Sequence, residues 1–65
     1  MAVPQLVEIL ENDPESRTRY YAAKALGKIG REARDAAPAL EAASRDQDER
    51  VRRAATEALP KVTRA

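Results

Sequence analysis

Tyr20, Lys24 and Lys28 are spaced i, i+4, i+8, and Arg53, Glu57 and Lys61 repeat that row 33 residues further on. Side chains four apart on a helix lie one above the other, so each row would present a ladder of polar heads to one side. Two such ladders lying side by side would make a mildly basic groove, able to take an acidic peptide or a phosphate backbone. Arg31 and Arg34 fall near its expected rim. Tyr20 and Tyr21 are the only aromatic residues, and aromatics on a binding face bring much contact area for little entropy. Tyr21 has a second reading, as filler between helices short of large side chains.

The chain holds no histidine and no cysteine, which removes imidazole acid–base catalysis, thiolate chemistry, disulfides and the usual zinc sites. The hydroxyls of Ser16, Thr18, Ser44, Thr56 and Thr63 have no base poised beside them, and Gly27 and Gly30 alone do not make a phosphate loop. Asp46 and Asp48 stand where a helix begins, so capping explains them without a metal. Arg17, Arg19, Arg50 and Arg52 are close in sequence to Asp13, Glu15, Asp46, Asp48 and Glu49 and read as structural pairs. The expectation is a non-catalytic chain with no cofactor and no metal.

Of 65 residues, 28 are apolar, but 14 of these are alanine and only 11 are Leu, Ile or Val. Such a composition makes a thin core, and the net charge of +1 leaves hydrophobic periodicity to decide the fold. The spacing predicts four helices. The first, about 3–11, carries Val3, Leu6, Val7, Ile9 and Leu10, with Pro4 in its opening turn. Asn12, Asp13 and Pro14 make a turn. The second helix, about 15–29, has Thr18, Ala22, Ala25, Leu26 and Ile29 on one side, and Gly30 suits a left-handed C-cap. Asp35 is placed to cap a third helix, about 35–44, with Ala36, Ala37, Leu40 and Ala43 inward. Asp48 is placed to cap a fourth, whose stripe Val51, Ala55, Ala58, Leu59 and Val62 copies the second, with Pro60 expected to fray or kink its end.

A shift of 33 to 34 residues superimposes the two halves. Pro4 meets Pro38 and Leu6 meets Leu40; after one residue is absorbed at the helix junction, Asp13, Arg19, Ala22, Ala25, Leu26 and Lys28 meet Asp46, Arg52, Ala55, Ala58, Leu59 and Lys61. This pattern resembles the HEAT repeat family, in particular its short alanine-rich repeats of the phycobilisome lyase type, in two copies over nearly the whole chain. Val3–Leu10 looks like that family's outer helix and Thr18–Gly30 like its inner one; Ala37–Leu40 and Val51–Leu59 are the matching stretches of the second copy. Asp13 with Arg19, and Asp46 with Arg52, are similar to the family's hydrogen-bond ladder between repeats. The copies differ where Glu41, Ala43 and Ser44 replace Val7, Ile9 and Leu10, and where Pro60 and Thr63 replace Gly27 and Gly30. Such divergence argues against an idealised consensus design.

The resemblance implies an all-α fold of two helix-hairpin repeats, a fragment of an alpha-alpha superhelix. One domain over 1–65 is expected, with repeat one about 1–30 and repeat two about 31–65. It also implies an interaction module that binds a protein or peptide through the face holding the second helix of each repeat: Tyr20, Tyr21, Lys24, Lys28, Arg53, Glu57 and Lys61. Two alternatives stand beside it, a nucleic-acid backbone binder and an accessory subunit of a lyase-type enzyme. With no membrane-spanning run and no basic N-terminal leader, a cytoplasmic location with no membrane partner is expected. Helix 1 carries more large apolar residues than helix 3 can cover. A homodimer joined symmetrically through helix 1, Tyr20 and Tyr21 is therefore expected.

Overall fold

In a computed structural model, which describes residues 2–64, the chain forms four α-helices: α1 (Val3–Asn12), α2 (Ser16–Ile29), α3 (Ala37–Ala43) and α4 (Glu49–Thr63). A 3-10 segment, Gly30–Ala36, joins α2 to α3. No strand occurs among the described residues, so the expected all-α class is what the chain adopts.

Each helix has a local cause. Pro4 opens α1 where a missing N–H costs nothing, and the Gln5 side chain accepts from the Ala2 N–H at 3.0 Å. Asp13 ends it by turning the chain: its Oδ1 accepts from the Glu15 N–H at 2.8 Å, the local bond that makes Asp a turn residue. The second turn repeats the device, Asp46 Oδ1 accepting from the Asp48 N–H at 2.9 Å. Asp48 then caps α4 as its sequence position indicates, Oδ1 accepting from the N–H groups of Arg50 and Val51 at 2.8 and 3.4 Å.

Three local expectations are corrected. Asp35 does not cap α3. It is an exposed residue inside the 3-10 segment, and Ala36 at the N-cap already has right-handed helical angles, so the turn flows into α3 without the extended residue a side-chain cap requires. Gly30 ends α2 with φ +80°, ψ −139°. That is the mirror-extended region open essentially to glycine, not the left-handed helical well. Pro60 does not fray the end of α4, which continues to Thr63 with the Arg64 N–H bonded to the Pro60 carbonyl at 3.0 Å. Pro60 and Thr56, whose carbonyl loses its partner, both face solvent, while Val62 is wholly buried and pins the turn beyond the proline.

α1 packs on α2 and α3 on α4; the two pairs then lie side by side, α2 against α4 and α1 against α3. Leu26, Leu40, Val51 and Val62 are the largest fully buried side chains, and alanines fill most of the remaining core. Ala33 and Ala36 of the 3-10 segment are wholly buried among them. Small residues allow close approach of α2 and α4. The two helices come close at Gly27, where a Cβ would stand 3.1 Å from the Ala58 Cβ.

Candidate functional site

The turn between α1 and α2 and the turn between α3 and α4 are clasped by Arg19. Its Nε and Nη2 donate to the two carboxylate oxygens of Asp46 at 2.9 and 3.1 Å, and its Nη1 donates to the Asp13 carbonyl at 2.8 Å. A planar fork meeting a carboxylate edge-on is the strongest geometry open to this pair. With side-chain exposures of only 17% and 13%, it is also sheltered from screening. The Arg19 hydrogen bond, helped by the Asp48 N–H, holds the Asp46 carboxyl below its ordinary range against the cost of burial. Asp48 is lowered as well, chiefly by the Arg50 N–H. The expectation of structural pairing for the arginines at the helix starts therefore holds at Arg19, and Arg50 adds a looser 3.5 Å contact with Asp48. Arg52 reaches back to its own turn, Nη1 donating to the carbonyls of Asp46 and Gln47 at 2.9 and 3.0 Å.

A depression of about 450 Å³ lies beside these turns, with Leu10, Asp13, Arg19, Ala39 and Asp46 among its walls. Arg19 and Asp46 already satisfy one another there, and the other polar residues on its walls, Glu11, Asn12, Arg45 and Gln47, are of mixed character. The groove between α2 and α4 is different. At one end Tyr20, Lys24, Arg50, Arg53, Ala54 and Glu57 enclose about 280 Å³. It continues past the shared residues Lys24, Ala54 and Glu57 into a narrower stretch of about 80 Å³ bounded by Lys28 and Lys61. Its floor is made of Ala23, Gly27, Ala54 and Ala58. These residues carry no polar side chain, and they are small because α2 and α4 must approach closely. The rim holds five cations and the single carboxylate of Glu57. Lys24 Nζ stands 5.9 Å from the centre of the Tyr20 ring, within cation–π reach. Arg53 is tethered at 2.9 Å to Glu49, an exposed pair one helical turn apart that a ligand can open at little cost.

Six of the seven residues singled out in the sequence, Tyr20, Lys24, Lys28, Arg53, Glu57 and Lys61, come together on this groove. Tyr21 does not. It is 62% exposed beside the groove, its ring 5.2 Å from that of Tyr20 in an edge-to-face pair, while Tyr20 is the tyrosine that packs against the core. The filler reading of Tyr21 thus falls to its neighbour, one residue and about 100° away round the helix. Arg31 and Arg34 do not reach the rim; they share a separate shallow depression with Glu32. Arg50 and Ala54 complete the groove and were absent from the sequence-predicted row. Arg50 stands three residues before Arg53, and residues three apart share a helix face as those four apart do, a step the row did not take.

No helix is long and apolar enough to cross a membrane among the described residues, and no acidic cluster there has the composition of a metal site. A family model described as HEAT repeats matches residues 1–64. No curated protein and no solved structure matches the chain.

Proposed function

Because this chain belongs to the HEAT repeat family, whose repeats mediate protein interactions, we propose that it is a non-catalytic binding module built of two HEAT copies, α1–α2 and α3–α4, acting in the cytoplasm. Its ligand is an acidic peptide segment of a protein partner, held in the groove between α2 and α4. The observation that carries this reading is the rim: five cations and one carboxylate border a floor of methyl groups and one glycine. An extended chain can lie on such a floor while its Asp and Glu side chains reach Lys24, Arg50, Arg53 and Lys61, and Tyr20 offers a flat face for an apolar neighbour. A role beside a lyase-type enzyme would use the same groove, with the enzyme supplying the segment. Self-association belongs to the same reading, since the exposed ring of Tyr21 and the half-buried Val3, Val7 and Ile9 leave apolar area in solvent that a second chain can cover.

Fluorescence anisotropy with a labelled Asp/Glu-rich dodecapeptide tests the proposal. Lys24→Glu and Arg53→Glu alter exposed rim residues, so the fold is retained, and each is expected to weaken binding at least tenfold. Unchanged binding in both removes the groove. Duplex and single-stranded oligonucleotides are titrated in parallel: binding tighter than that of the peptide, falling steeply as salt rises, would replace the peptide reading with a nucleic-acid one.

A further inference from the structure

We propose that copies of this chain associate head to tail, Arg52 of one copy clasping Asp13 of the next as Arg19 clasps Asp46 within the chain. The inference rests on the self-association proposed above and assigns its geometry.

Arg19 and Arg52 are held in the same way. Each uses Nη1 to grip the carbonyl of the aspartate six residues before it, at 2.8 Å for Arg19 and 2.9 Å for Arg52. In Arg19 this anchoring aims Nε and Nη2 at the Asp46 carboxylate. In Arg52 the same two groups have no acceptor among the described residues, although the side chain is half-buried. The carboxylates match in turn. Asp13 and Asp46 each accept one backbone N–H two residues on, at 2.8 and 2.9 Å, but only Asp46 also receives a guanidinium. One end of the molecule therefore offers a pre-positioned fork and the other a pre-positioned carboxylate.

Charge runs the same way. Ala2 to Ser16 contains Glu8, Glu11, Asp13 and Glu15 and no Lys or Arg, whereas Arg50 to Arg64 contains five cations and one carboxylate. A symmetric contact through α1 would set acidic segments against each other; a head-to-tail contact sets acidic against basic. The symmetric arrangement expected from the sequence is thus the less favourable one. Beside Arg52 a shallow depression of about 380 Å³, bordered by Ser44, Glu49, Arg53 and Thr56, gives the incoming turn a seat. Glu49 is the one carboxylate there, and Arg53 already holds it.

The contact is weaker than the internal one it copies. Where α2 presents Ala23 and Gly27 to α4, α4 presents Thr56 and Pro60 to the newcomer, so helices cannot approach as closely and the turns must carry the interaction. Association is then salt-sensitive, weakening at least tenfold between about 0.05 and 0.5 M salt as the screening length shortens.

Sedimentation velocity on the whole chain over a hundredfold concentration range decides the matter, with circular dichroism confirming that each variant is folded. The wild type is expected to grow in mean mass above 7.2 kDa with concentration at low salt. Asp13→Arg and Arg52→Asp should each stay at monomer mass alone, yet associate when mixed in equal amounts, because each keeps the complementary end that the other lacks. Asp13→Asn, which retains the acceptor for the Glu15 N–H, should also stay monomeric. A wild type at monomer mass throughout overturns self-association altogether. Variants that associate as the wild type does overturn only this arrangement, and leave a symmetric contact in its place.

Discussion

Gly27 sets how closely α2 and α4 approach, and adding a single methyl group there tests that directly. In Gly27→Ala the new carbon would stand 3.1 Å from the Ala58 Cβ and 3.3 Å from the Ala58 Cα, where unstrained carbon contacts sit at about 3.5 to 4.0 Å. Relief requires moving α4 by roughly half an ångström. α4 is not free to move, because Val51, Ala55, Ala58 and Val62 are all buried in the core on either side of the contact. Overpacking of this kind costs about 1 to 3 kcal/mol. Against it stands the gain of about 1 kcal/mol for replacing glycine by alanine within a helix. The packing cost should win by about 1 kcal/mol, a fall of roughly 4 to 8 °C in Tm for a chain of this size. Ala58→Gly in the same background removes the opposing methyl, so a double-mutant cycle should show a coupling of about 1 to 2 kcal/mol. Thermal melting followed by circular dichroism measures all four proteins. A Tm for Gly27→Ala at or above that of the wild type, with an additive cycle, would mean that the seam yields freely and that helix propensity alone governs the site.

The clasp between the turns should be worth about 2 kcal/mol in urea unfolding, lost in Arg19→Lys because an ammonium cannot make both bonds, and lost again in Asp46→Asn. Since the Asp46 carboxyl titrates below its ordinary 3.8 in the folded chain, the unfolded chain binds more protons in acid. Stability should be full above about pH 4 and fall as the pH drops through the Asp46 value, with a shallower fall in Asp46→Asn; an unchanged profile would refute the role of Arg19. Pro60→Ala restores a donor to the Thr56 carbonyl at an exposed position and should stabilise α4 by about 1 to 3 kcal/mol, read as a rise in Tm.

What could be read in the sequence was whatever depends on periodicity or on a side chain bonding its own backbone. The four helices follow from apolar residues three and four apart, and the turns from Asp13 and Asp46 next to breaks in that pattern. The resemblance to the HEAT ladder implied a bond between the halves, and the two rows of polar residues did meet across one groove. What escaped is settled by rotation and by tertiary pinning. Tyr20 and Tyr21 are equal as letters, and only the angle at which α2 meets α4 turns one inward and the other outward. Asp35 looks like a cap until Gly30 bends the chain so that the preceding turn already runs helically into α3. Pro60 looks like the start of a frayed end until Val62, beyond it, is drawn into the core. Arg50 was missed because the row was followed in steps of four when the surface of a helix also admits steps of three.

The floor and the rim of the α2–α4 groove answer to different demands. Ala23, Gly27, Ala54 and Ala58 are fixed by the spacing of two helices, and exchanging any of them disturbs the packing beneath the groove. Lys24, Lys28, Arg53, Glu57 and Lys61 stand in solvent, and substitutions there leave packing nearly untouched. Such a surface can drift through many charge patterns while the scaffold beneath stays the same. A lineage built on this plan can thus acquire a new partner by a few exposed substitutions, without first passing through a poorly folded ancestor.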